Sequence, residues 1–107
     1  MSLDDTSFPQ IADDTLESFM DAIEAAVGDQ ADVDLEGGIL TIDLDAGGQY
    51  VINKHAPNRQ IWMSSPKSGA THYGFVDGHW ACTRSGRALG DLLAEELTAA
   101  TGVSIRL

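Results

Sequence analysis

The hydrophobic period of this chain changes twice, and that restricts the folds open to it. Up to Val27 apolar side chains recur at helical spacing. From Ala31 they alternate with polar ones, in short runs, as far as Thr83. From Leu89 the helical spacing returns. The order encoded is a helix, then about six short strands, then a second helix. A length of 107 residues leaves room for one domain, 1–107, around one core.

The first helix is expected over residues 9–27, with Pro9 in its first turn and Gly28 at its stop. On a helical wheel Ala12, Leu16, Phe19, Met20, Ile23, Ala26 and Val27 share one side, and Asp13, Asp14, Glu17, Asp21 and Glu24 the other. Strands are expected at 31–36, 40–45, 49–54, 60–65, 71–75 and 80–83. The turns between them are Gly37-Gly38, Gly47-Gly48, Pro57-Asn58, Pro66-Lys67-Ser68-Gly69 and Asp77-Gly78. Ser85 suits the N-cap of the second helix, Leu89, Leu92, Leu93, Leu97 and Ala100 make its apolar stripe, and Gly102 ends it. Consecutive strands joined by short turns pair antiparallel. The expected class is therefore α+β: a two-layer α-β sandwich, with two helices packed on one face of a roughly six-stranded antiparallel sheet.

Charge adds a second constraint. The net charge is −11, from 17 Asp and Glu against 6 Lys and Arg. Thirteen of the acidic residues lie in residues 1–45, where there is no Lys or Arg; residues 46–107 carry a net +2. Asp13, Glu17 and Asp21 are four residues apart, and each such like-charge pair costs about 0.2–0.5 kcal/mol in a helix. Segregation at that cost points to a use for the acidic segment. A phosphate backbone or an anionic bilayer would be repelled, so neither nucleic acid nor membrane is expected as partner. The single Cys82 excludes an intramolecular disulfide and a cysteine-rich zinc site. No apolar run approaches the roughly 18 residues of a membrane span. Met1-Ser2-Leu3-Asp4-Asp5 is too acidic for a signal or transit peptide. A soluble protein of the bacterial cytoplasm is expected, with a processed form in the mitochondrial matrix as the alternative.

Two stretches carry a family resemblance. Residues 50–66, with Asn53-Lys54, Pro57-Asn58 and Gln60-Ile61-Trp62, resemble the central strands of frataxins. Residues 80–86, Trp80-Ala81-Cys82-Thr83-Arg84-Ser85-Gly86, followed by Leu92-Leu93, resemble the bacterial CyaY-type members. The acidic helix and the Gly37-Gly38 hairpin sit where frataxins have them. The resemblance implies the same two-layer fold, iron binding, and a role in iron–sulfur cluster assembly through a cysteine desulfurase and its scaffold protein. It also implies that Val103–Leu107 is a shorter tail than that of longer members, leaving the far end of the core less covered.

Carboxylates are hard oxygen donors that suit Fe²⁺ or Fe³⁺ better than soft metals. Asp13, Asp14, Glu17, Asp21 and Glu24 form a helical ridge, and Asp32, Asp34 and Glu36 share one side of the first strand. If that strand is an edge beside the helix, the two rows merge into an open site that binds iron weakly. A solvated helix face is the alternative use of the ridge. A basic patch on a partner would be drawn to the same surface. Asp32 to Asp43 nearly fits an EF-hand loop, but the residue at its twelfth place is Asp, no exiting helix follows, and no second loop exists.

Gln60, Trp62 and Ser64 alternate away from Ile61 and Met63, so Trp62 is expected on the open side of the sheet with Asn53 beside it. The resemblance implies that Asn53, Gln60 and Trp62 meet the assembly partners. Lys54 and Arg59 are expected at the rim of that surface. Cys82 is expected inward with Trp80, as a structural thiol. His55 and His72 have no carboxylate cluster beside them in sequence and read as ordinary surface histidines, and the three-residue spacing of His79 and Cys82 is not by itself a metal motif. No catalytic constellation is found. A ferroxidase working on the acidic ridge is the enzymatic alternative, and an acidic docking module without a metal the other. A monomer is expected, with iron-dependent oligomers as the alternative.

Overall fold

A computed structural model of the chain describes residues 7–107. The observed order is α1 (Ser7–Val27), β1 (Ala31–Glu36), β2 (Ile39–Leu44), β3 (Gln49–His55), the short 3₁₀ turn Ala56–Asn58, β4 (Gln60–Ser65), β5 (Gly69–Val76), β6 (His79–Cys82) and α2 (Leu89–Thr101). The six strands form one sheet in sequence order, each antiparallel to the next. Such a meander needs only tight turns. Gly37-Gly38 and Asp77-Gly78 supply two of them with positive φ at both central residues, the geometry that follows the twist of a hairpin.

Both helices pack on the same side of the sheet, so the two-layer α-β sandwich is observed as expected. Strand alternation sends Leu40, Ile42, Tyr50, Ile52, Ile61, Met63 and Tyr73 into that interface, where all are buried. Facing them are Ala12, Leu16, Phe19, Ile23 and Val27 of α1 and Leu89, Leu93 and Leu97 of α2. Each fully buried Leu or Ile contributes about 1.5–3 kcal/mol against exposure. Trp80 closes one end. Its indole N–H donates to Thr15 Oγ1 at 2.9 Å, and Phe8 and Phe75 meet its ring edge-on. Cys82 is buried beside it, as its alternation with Trp80 requires.

One expectation at the C-terminal end is corrected. The N-cap of α2 is Ala88 and makes no side-chain cap. Ser85 lies three residues too early, and its hydroxyl accepts from the Arg87 amide at 3.2 Å in the preceding loop. In the C-terminal tail Ile105 folds back into the core at 6% exposure. Gly90 makes this return possible, because a Cβ there would lie 2.9 Å from the Leu107 carbonyl oxygen.

Candidate functional site

Helix α1 presents its acidic row to solvent because its apolar stripe is committed to the sheet. Asp14, Glu17, Asp21 and Glu24 are exposed and Asp13 is half-buried. Between this row and the β1–β2 hairpin runs an open cleft of about 550 Å³, lined by Asp13, Glu17, Asp21, Leu35, Gly38 and Lys54. Lys54 is the one basic side chain in it, and its Nζ donates to Asp13 Oδ1 at 2.9 Å. This ion pair corrects the placement of Lys54 at the rim of the Trp62 surface. Lys54 alternates with Tyr50 and Ile52 toward the helices, so its side chain leaves the sheet on the opposite side from Trp62. The hairpin is shaped to let it pass. Gly38 has φ +79°, and a Cβ on it would come within 3.0 Å of Lys54 Cε.

The second acidic row does not merge with the first in the way expected. β1 is the edge strand beside α1, but its alternation turns Ala31, Val33 and Leu35 inward. Asp32, Asp34 and Glu36 are exposed, on the side of the sheet that the helices leave open. The two rows flank the same edge from opposite sides. Among the described residues no group of three or more His, Cys, Asp or Glu side chains converges on one point. What the edge offers a cation is a row of separate oxygen donors, each open to water. Asp4 and Asp5 lie outside the described residues.

On the open side, Trp62 sits where its alternation predicts, directly across from Asn53 on β3 and His72 on β5. Its ring is not a bare aromatic face. His55 stacks on one side with ring centroids 3.6 Å apart and planes within 7°; His72 stacks on the other at 4.0 Å and 11°. The indole N–H donates to Gln60 Oε1 at 2.8 Å. His55 and His72, read from sequence as ordinary surface residues, are therefore part of the Trp62 surface. The signal was register, but the expected four-residue turn Pro66-Lys67-Ser68-Gly69 would have set Tyr73 against Trp62; the turn is one residue shorter, Gly69 pairs with Ser65, and His72 falls opposite Trp62.

A third carboxylate feature went unread. Glu96 falls on the apolar stripe of α2, between Leu93 and Leu97, and is only 8% exposed. Its Oε1 accepts from the Tyr50 hydroxyl at 2.9 Å and from Ser65 Oγ at 2.6 Å, and its Oε2 accepts from Ser68 Oγ at 2.8 Å. Ser65 Oγ in turn accepts the amides of Lys67 and Ser68, which closes the β4–β5 turn. Burial alone would raise the Glu96 pKa, but the hydrogen bonds from Ser65, Ser68 and Tyr50 outweigh it and hold the carboxyl below its ordinary range. Tyr50 pays the converse: burial first, then the Glu96 carboxylate, push its phenol up to about 12. An acid at an apolar-stripe position was the sequence signal for this anchor.

Known proteins resemble this arrangement throughout. The sequence model of the frataxin-like domain matches residues 1–103. The mitochondrial frataxin homolog of Saccharomyces cerevisiae is 40% identical over 97 residues, 87% of this chain but 56% of that protein's length. The iron-sulfur cluster assembly protein CyaY of Vibrio cholerae is 38% identical over 94 residues, 88% of each chain. Among solved structures, frataxin from Psychromonas ingrahamii superposes with a TM-score of 0.87 at 25% identity, covering 97% of both chains. Trimeric yeast frataxin complexed with ferrous superposes at 0.73 with 36% identity, covering 95% of this chain and 89% of that one.

Proposed function

This chain belongs to the frataxin family, and on that premise we propose that it acts in iron–sulfur cluster assembly. In this reading it is an iron-binding donor or regulator of a cysteine desulfurase–scaffold complex in the bacterial cytoplasm. The observation that carries the proposal is the α1 row. Asp13, Glu17 and Asp21 stand along an open cleft whose lining contains a single cation, Lys54. Hard, water-exposed oxygen donors without a closed cage hold a ferrous ion loosely enough to release it. Iron is cargo here. The same carboxylates, with Asp14 and Glu24 on the helix and Asp32, Asp34 and Glu36 along β1, would attract a basic patch of the desulfurase, and attraction of that kind speeds encounter more than it tightens the complex. The open side of the sheet, with Asn53, Gln60 and Trp62, supplies the second contact surface in this proposal, for the scaffold.

The test is an anaerobic titration of the ¹⁵N-labelled protein with Fe²⁺, and a separate one with the desulfurase. Ferrous ion is expected to broaden amides around Asp13, Glu17 and Asp21 first. Desulfurase is expected to shift amides of the same edge, and scaffold those around Trp62. Unchanged spectra at the edge in both the Fe²⁺ and desulfurase titrations would remove the proposal. Trp62→Ala is expected to weaken scaffold binding while the thermal midpoint stays nearly unchanged.

A further inference from the structure

The His55–Trp62–His72 stack has a property that neither the fold nor the acidic edge requires. Three rings stand side by side on the open face of the sheet, all half-buried. Register builds the block: His72 is the direct partner of Trp62, and His55 follows Asn53 on the same side of β3. His55 Nδ1 is covered and has no hydrogen-bond partner among the described residues. Contact with the indole therefore does much to place that imidazole.

The charge around the block is equally specific. In a chain of net charge −11, strands β3 to β6 contain no Asp or Glu at all. Their one Lys or Arg, Lys54, is turned to the helix side and paired with Asp13. On the open side, β3 adds Gln49, Val51 and Asn53, and β4 adds Gln60 and Ser64. β5 adds Ala70 and Gly74, and β6 adds Ala81 and, at its outer end, His79. Among the described residues, the charged groups bordering these strands include Arg59 in the β3–β4 connection, Lys67 in the β4–β5 turn, Asp77 in the β5–β6 turn, Arg84, which shares a small cavity of about 160 Å³ with His72, and Asp43 on β2. The carboxylates Asp32, Asp34 and Glu36 stand on β1, at the far edge of the sheet. Imidazole rings thus stand at the centre of a part of the sheet, β3 to β6, whose strands hold no carboxylate. Imidazole is the side chain whose charge ordinarily changes between about pH 5 and 8, and an imidazolium against an indole face is favoured by the ring's quadrupole.

We infer that the His55–Trp62–His72 block is a proton-responsive docking site for a carboxylate-bearing segment of an assembly partner. The inference rests on the reading that the Trp62 side of the sheet meets such a partner, and it adds the partner's chemistry and the condition for binding. A carboxylate set against the ring edges accepts N–H hydrogen bonds from the imidazoles, and these strengthen when the ring is cationic. By linkage, binding draws a proton from solvent onto an imidazole nitrogen, and a lower pH tightens binding. His55 and His72 are also positioning residues, since they keep both faces of the indole covered and its edge outward.

The experiment compares the wild-type chain with a variant carrying His55→Phe and His72→Phe, which keeps flat rings on both faces of Trp62 but cannot take a proton. Binding of the scaffold protein from the same organism is measured calorimetrically at several pH values, in buffers of different ionisation enthalpy. Wild type is expected to bind about tenfold tighter near pH 6 than near pH 8, with net proton uptake. The variant, checked to be folded by its amide spectrum, is expected to show less than about a twofold change over that range and less uptake. A variant that keeps the wild-type slope, or a wild-type affinity that tightens toward high pH, overturns the inference. Scaffold that moves no amide near Trp62 in wild type at any pH overturns the underlying reading instead.

Discussion

Carboxylates are used in opposite ways at two ends of this molecule. Along α1, Asp13, Glu17 and Asp21 are held apart on a solvated row, with one lysine between them and the sheet. Under α2, Glu96 is enclosed and spends both oxygens on Tyr50, Ser65 and Ser68. The first arrangement leaves lone pairs free for a visitor and costs a little repulsion. The second leaves nothing to offer and ties a helix to two strands and a turn. The difference teaches that the same functional group becomes a site or a strut according to whether its oxygens are already satisfied.

The largest expected effect tests the strut. Glu96→Ala removes the shared acceptor from three hydroxyls inside the sandwich, and a loss of about 2–4 kcal/mol is expected. Urea unfolding followed by circular dichroism checks it: the midpoint falls while the slope is kept. A loss near zero would place Glu96 with the ridge acids. The next effect is on the acid limb. The folded Glu96 carboxyl lies below the ordinary range near 4.5, so its stabilisation is present above that value and fades as pH falls through the folded pKa. Thermal midpoints measured across that window should therefore drop more steeply for wild type than for Glu96→Gln. On the alkaline side Tyr50 works in the reverse sense. Its pKa is raised from 10.0 to about 12, so its contribution is complete below 10 and is lost between those values. Tyr50→Phe should flatten that limb.

Smaller effects sharpen the picture of the ridge. Glu17→Gln relieves the repulsions toward both Asp13 and Asp21 without touching Lys54, and a gain of about 0.5–1 kcal/mol is expected. The gain should shrink in about 1 M salt, where the screening length is near 3 Å. Asp13→Asn relieves one repulsion but breaks the Lys54 ion pair, whose partners are 24% and 46% exposed. An exposed pair of this kind contributes about 0–1 kcal/mol. The net change is expected to be near zero in the same unfolding assay, while ferrous uptake falls. A clear loss of stability there would make Asp13 a strut as well.

Much of this was legible in the residues. The two changes of period placed both helices and all six strands, and the Gly37-Gly38 and Asp77-Gly78 turns forced the meander. The alternation of Lys54 with Tyr50 and Ile52 already pointed it toward the helices, but nearness in sequence to Asn53 hid this. Residue type alone makes Ser85 an N-cap candidate. Type cannot tell a cap from a loop hydroxyl three residues early. The acids of β1 were correctly grouped on one side of their strand. Which side that is depends on Val33 and Leu35 being drawn under α1, a contact between elements. His72 could be matched to Trp62 only through the β4–β5 register, and Glu96 to Tyr50 only across 46 residues of chain.

The sequence by itself determined the local periods, the turns, the segregation of charge and the family resemblance, because each depends on neighbours within a few residues. Tertiary structure alone decided which acid is enclosed and which stay open, that Lys54 reaches Asp13, and that two histidines close on Trp62. Those outcomes depend on register and on how helices lie over the sheet. Desolvation and hydrogen bonding act on whatever groups the folded chain brings together, however far apart they lie along it.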